Sequence, residues 1–262
     1  MASQAPNMLP LLYNELEPLN RNRHGNFKIR RMEGLERVSK THAIPVTVDE
    51  FAMAQRHFPI VFSAGDNPVP IALMGLHEGT NTFFDKDGKL TDESIYVPAY
   101  LRRYPFVLAR LREDSDELSL CFDPTADAIG EGKDGEPLFD GDEPSEATKA
   151  ILQFCEQFEQ AGQRTQAFMT ELKEADLLMD GEVAIQPEGA QQPFVYRGFQ
   201  MVDEEKFRNL RGDELRKLNQ NGVLPLIMAH LFSLSVIREI FGRQVQQGTG
   251  PVAAPQPATA EA

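Results

Sequence analysis

Apolar residues change their spacing along this chain, and the change divides it into two halves. In the first half they come in short β-rich runs. Residues 38–48 alternate, with Ala43, Ile44, Val46 and Val48 broken by Pro45, which suits an edge strand or a bend. Asp49 is placed to cap a short helix over residues 50–57 that carries Phe51 and Ala54 on one face. Strands are predicted at 58–62, 70–76 and 82–84, divided by turns at Gly65-Asp-Asn-Pro68 and Asp85-Lys-Asp-Gly88.

The same order of elements then recurs. His57-Phe-Pro-Ile-Val-Phe62 aligns with Arg103-Tyr-Pro-Phe-Val-Leu108, and Ile71-Ala-Leu-Met-Gly-Leu76 with Leu118-Ser-Leu-Cys-Phe-Asp123. Phe83-Phe-Asp-Lys-Asp-Gly88 is echoed by Leu138-Phe-Asp-Gly-Asp142. The expectation is a duplicated helix–strand–strand unit whose two copies pair into one antiparallel sheet. Pro98 falls where the second copy's helix tolerates proline. Residues 124–146 are acidic and rich in Gly and Pro, which predicts a long surface loop.

From Ser145, a candidate N-cap, the period becomes 3.6. Ile151, Phe154, Cys155, Phe158, Thr165, Phe168, Met169 and Leu172 form the apolar stripe of one long helix, with Phe154, Phe158 and Phe168 able to cover a sheet. Gly162 is expected to loosen it at a cost near ~1 kcal/mol. A hairpin is predicted from 182–186 and 194–202 across a loop at 187–193. Asp203 and Asp213 read as caps of two short helices, the second stopped by Asn221-Gly222. Residues 224–241 read as one last helix, with Pro225 in its first turn. The whole is an α+β chain: an antiparallel sheet from the duplicated unit, covered by C-terminal helices. Residues 1–26 are expected to be an extended arm. Residues 27–243 would form one domain, mainly sheet over 27–143 and mainly helical over 144–243, and 244–262 a disordered tail.

Charge narrows the partners. The 262 residues carry 26 basic and 40 acidic side chains, a net −14, which repels nucleic acid and anionic lipid wherever bases do not cluster. Only Arg21 to Arg31 and Arg102/Arg103 cluster, so no nucleic-acid partner is expected. Cys121 and Cys155 lie in apolar runs and read as reduced core thiols. No signal peptide is visible at the N-terminus. The most apolar run, 223–237, is 15 residues, short of the ~20 a bilayer needs, so it reads as a buried helix. These features predict a cytoplasmic protein with no transmembrane segment.

Few motifs carry chemistry. Gly130-Glu-Gly-Lys-Asp-Gly135 matches G-x-G-x-x-G, yet Pro137 and a hairpin-like Leu-Phe-Asp follow where a phosphate-binding helix should start. Asp85-x-Asp87-Gly88 opens like a calcium loop but lacks the later ligands, so it reads as a tight turn. The five histidines, at 24, 42, 57, 77 and 230, show no metal-binding spacing, and no nucleophile elbow or Cys/His pair is readable. No cofactor and no metal are expected, and no catalytic residue can be assigned. One stretch does suggest binding: Arg102 and Arg103 lie among Tyr96, Tyr100 and Tyr104. Guanidinium forks beside aromatic faces suit a protein partner or a small anionic ligand. The competing reading pairs the arginines with this protein's own acids while the tyrosines pack.

An ordered series of short motifs completes the picture. It runs through Ile44-Pro-Val, Phe58-Pro-Ile-Val-Phe62, Ala72-Leu-Met-Gly-Leu76, Asn81-x-Phe-Phe-Asp85 and Tyr96-Val-Pro-Ala-Tyr-Leu-Arg-Arg-Tyr-Pro-Phe106. It continues through Gly135-Glu-Pro-Leu-Phe-Asp140, Gln163-Arg-Thr-Gln-Ala-Phe168 and Ala229-His-Leu-x-Ser-Leu234. Over about residues 10–242 this resembles the bacterial SapC family, not the membrane permease that shares the name. The resemblance implies an association with bacterial surface layers, or with outer-membrane uptake systems, and no established catalytic residues. The first reading is therefore a cytosolic accessory or binding protein. The alternatives are an enzyme or enzyme subunit binding a small anion, and a structural surface-layer protein.

Overall fold

A computed structural model of the chain describes residues 9–112, 116–186 and 192–250. The start of the expected arm is ordered into elements. β1 (Glu17–Pro18) precedes α1 (Arg21–His24), and β2 (Phe27–Ile29) follows. Asn20 caps α1 by accepting the Asn22 N–H. Tyr13 is buried, its hydroxyl donating to the Phe106 carbonyl. The arm of residues 1–26 is thus built into the fold over its described part.

The first repeat unit comprises β3 (Ala43–Pro45), α2 (Phe51–Ala54), β4 (Ile60–Ser63) and β5 (Pro70–Leu73). A 3-10 turn, Val48–Glu50, leads into α2, and the residue at its cap is Thr47, not Asp49. Thr47 and Glu50 form a capping box, and Asp49 instead holds Arg164 at 2.5 Å. The strand expected at 82–84 reduces to a single bridge, Phe84 to Leu90, closing the Asp85 turn. The Asp85 carboxylate accepts the Asp87 and Lys89 N–H groups, as a tight turn requires. The second unit comprises α3 (Ala99–Arg102), β6 (Phe106–Arg110) and β7 (Leu118–Phe122).

Both units have the expected order, but they do not share a sheet. β4 and β5 belong to one sheet, while β6 and β7 pair with β1 in another of order β1-β7-β6. The reason lies in what each unit finds beside it: the arm occupies the free side of β7, so the second hairpin has a neighbour already. The expected loop at 124–146 is also structured. β8 (Ile129–Glu131) and β9 (Glu136–Pro137) flank β2, and β10 (Phe139–Asp140) pairs with β11 (Glu143–Pro144). Ala126, Ala128, Ile129 and Leu138 are the buried apolar residues that hold it down despite the acidic composition around them. Of the glycines in the G-x-G-x-x-G match, Gly130 lies in β8 opposite Lys28, and Gly132 and Gly135 lie in the turn between β8 and β9.

α4 (Glu146–Glu174) is the 29-residue helix the periodicity predicted, capped by Ser145 and unbroken at Gly162. At 1.5 Å per residue it is about 43 Å long. It joins two cores. Cys155 near its start packs into the cluster of Tyr104, Phe106, Cys121 and Phe122, while Phe168, Met169 and Leu172 pack into the larger cluster. Both cysteines are free and buried.

β12 (Leu178–Ile185) and β13 (Phe194–Val202) form the predicted hairpin and complete a five-stranded antiparallel sheet, β12-β13-β4-β5-β3. Gly181 lies under the Phe199 ring, where a Cβ would come within 2.1 Å. α5 (Glu204–Arg208) is capped by Asp203 as expected. α6 (Gly212–Gln220) begins two residues earlier than an Asp213 cap would require, with Arg211 at the cap position.

The last helix is longer than predicted and changes character midway. α7 (Val223–Ser233) passes through a 3-10 turn, Leu234–Val236, into α8 (Ile237–Gln246). The 24 helical residues are long and apolar enough to cross a membrane by length and composition. Their inward face is nevertheless fastened by polar side chains. His230 and Ser233 bond the backbone of Ile60, and Gln244 accepts the Leu76 N–H. Gln244 is fully buried, so the tail expected from 244 does not begin there. Residues 251–262 lie outside the described residues.

Candidate functional site

The five candidate residues all sit on or beside α3, which the chain presents between the two cores. α3 starts at Pro98 because Glu50, reaching over from the first unit, accepts the Ala99 N–H at 2.6 Å. Glu50 is buried and also accepts the Tyr96 hydroxyl at 3.0 Å and both the backbone and the hydroxyl of Thr47. Four donors therefore satisfy one buried carboxylate, as its desolvation demands. The apolar pattern around residues 50–57 hid this role, since an acid next to a helix start reads as an ordinary cap contact.

The geometry separates the two arginines. Arg102 is exposed and held from one side. Its Nε donates to the Val97 carbonyl at 3.0 Å and one terminal nitrogen to the Tyr96 oxygen at 3.1 Å. Its guanidinium carbon lies 5.6 Å from the Tyr96 ring centre and 5.2 Å from that of Phe154. Two donors are thus committed to the protein, and among the described residues no acceptor engages the remaining terminal nitrogen.

Arg103 is 8 % exposed. Its guanidinium is sandwiched between Tyr100 and Phe158, 4.5 and 4.2 Å from the ring centres. The nearest carboxylate, Glu159, is 3.7 Å away, beyond hydrogen-bond range, and the buried Nε has no partner. A desolvated guanidinium with so few acceptors is unusual.

The tyrosines are tied to the fold. Tyr100 donates to the Leu11 carbonyl and Tyr104 to the Asp123 carboxylate. Burial pushes the Tyr96 hydroxyl up to about 12, with Glu50 adding to the shift, and raises Tyr100 and Tyr104 for the same first reason. All three stay protonated donors near neutral pH. Asp123, fully buried, accepts from Asn14, Thr125 and Tyr104, and these bonds hold its carboxyl low against the opposing effect of burial.

The structure therefore gathers Tyr96 and Arg102 on one side of α3 and Tyr100, Arg103 and Tyr104 toward the core. It adds Glu50, Phe154, Phe158 and Glu159, which sequence reasoning did not assign. Phe154 and Phe158 were legible only as an i, i+4 pair on a helix face. That face meets the arginines, while Phe168 farther along turns to the five-stranded sheet. Among the described residues no group of three or more His, Cys, Asp or Glu side chains could hold a metal ion.

A scan against protein-family models matches residues 19–240 to the model named SapC. No curated protein and no solved structure matches the chain.

Proposed function

The chain belongs to the SapC family, and we propose that it works as an accessory or binding protein that engages an acidic partner through α3. The observation that carries this reading is the pre-set guanidinium of Arg102. Tyr96 and Val97 fix its orientation, Phe154 supports one face, and the side chain sits at an exposed position. A guanidinium already held in place loses little side-chain entropy on binding a carboxylate or phosphate. In a chain of net charge −14 such a site is also selective, because the surrounding field opposes anions that do not fit it. Arg103 supports the site from below, stacked under the same helix.

The family's association with surface layers and outer-membrane uptake suggests the setting: a cytoplasmic protein serving such a system. In this reading the long C-terminal helix packs on the sheet, and its inward polar bonds make it part of the core. The test is thermal stabilisation by inorganic phosphate, succinate and a poly-glutamate peptide. One of these probes should raise the melting temperature of the wild type and not of Arg102→Ala. Equal shifts in both proteins would overturn the reading.

A further inference from the structure

The five-stranded sheet has two edges that are treated very differently. At one edge β3 is three residues long and carries Pro45. Short length and proline are common ways to block further strand pairing. At the other edge β12 runs for eight residues, about 27 Å at strand spacing, and contains neither Lys nor Pro. The irregularity in the hairpin falls on its partner, where Gly198 is the extra residue with φ +93°, so β12 itself stays regular from Gly181 to Ile185. Among the described residues only β13 pairs with β12. β13 in turn meets β4 only at Phe199 and Gln200, so the outer half of the hairpin is a two-stranded ribbon. Such a ribbon gains from a third strand.

The pattern on β12 selects the strand that fits. Gly181, Val183 and Ile185 point to the core side, while Asp180, Glu182 and Ala184 face solvent. We propose that two copies of this chain pair through β12, antiparallel, about a two-fold axis at Val183, making one sheet continuous through both. In that register Val183 meets Val183 of the second copy, and Gly181 meets Ile185, so apolar positions stay opposite apolar positions. Glu182 meets Ala184, and no like charges face each other across the axis. A shift of one residue would put Glu182 opposite Val183 and mismatch the pleat. A two-fold interface needs a self-complementary surface, and this strand is one. An unrelated extended segment could use the same backbone groups, but nothing in β12 points to its side chains.

The test is the mass in solution by light scattering across a roughly hundredfold dilution, joined to hydrogen exchange on the wild-type chain. The expected result is a dimer that dissociates on dilution, with amides of residues 180–185 protected only when concentrated. Ala184→Asp sets a carboxylate opposite Glu182 of the second copy at two symmetric positions, which should weaken the dimer about tenfold. Adding Glu182→Lys should restore it. A monomer at the highest concentration overturns the proposal, as does a dimer whose protection lies elsewhere. If Ala184→Asp fails to fold, the wild-type exchange pattern still decides.

Discussion

His230 gives the sharpest test of how the C-terminal helix is held. Its ring lies between two strands of the five-stranded sheet, fully buried and stacked on Phe62 at 4.6 Å. Nδ1–H donates to the Ile60 carbonyl at 2.7 Å, and Nε2 accepts the Val202 N–H at 3.0 Å. This arrangement needs the neutral ring, because a proton on Nε2 would face the Val202 N–H. Burial pushes the imidazole from 6.5 down to about 4. The folded protein therefore resists a proton that the unfolded chain accepts. Stability is full above about pH 6.5 and falls as the pH drops toward 4, a loss of about 3 kcal/mol, with roughly 2 of it present by pH 5. His42 and His57 are also lowered by burial and act in the same direction, so a variant is needed to isolate His230. Urea unfolding at pH 7 and pH 5 should show a steep loss in the wild type and a flatter one, by about 2 kcal/mol, in His230→Gln. Equal pH slopes in the two proteins would refute the assigned role.

Other outcomes follow from single contacts. Arg103→Ala removes a side chain stacked between two rings and should lower stability by about 2–4 kcal/mol, whereas Arg102→Ala at the surface should change it by less than about 1. Denaturant titration separates the two. Glu50→Gln turns an acceptor of four bonds into a group that must aim an N–H at other donors, at a cost of about 2 kcal/mol, larger than the roughly 1 expected for Tyr96→Phe. Gly88→Ala should destabilise by more than about 2 kcal/mol, since φ is +72° and a Cβ would lie 2.0 Å from the Leu35 carbonyl oxygen. Burial raises both Cys121 and Cys155 to about 11, so a thiol reagent at neutral pH should label them only as fast as the protein opens.

What the sequence made legible follows from how local each signal is. α4 came through as a full element because its apolar stripe repeats over about six turns and Ser145 marks its start. The repeat came through as two helix–hairpin units because each is closed by nearby turns. Their placement in different sheets did not, because it depends on β1, two residues from an arm without periodicity that pairs with β7 about a hundred residues later. The acidic stretch at 124–146 was misjudged for the opposite reason. Its composition is that of a loop, and its few apolar residues, Ile129 and Leu138 the largest of those buried, are what pin it. Gln244 misled in the same way: a glutamine at the end of a helix reads as a fraying tail until Leu76 is seen to need an acceptor.

The site was half visible. Arg102, Arg103 and the tyrosines stood out by their density in one stretch. That Arg102 is posed at the surface while Arg103 is buried is decided by Phe154 and Phe158, some fifty residues away and aligned only once α4 crosses α3.

Everything proposed for the site depends on Arg102 presenting a pre-set guanidinium to an acidic partner. Native mass spectrometry of the protein gently purified from its own host tests it most directly, run beside an Arg102→Ala protein prepared in the same way. The expected result is an added acidic polypeptide or small anion on the wild type that is missing from the variant, while any homodimer and the melting temperature stay unchanged. The same added mass on both proteins, or on neither, would contradict it.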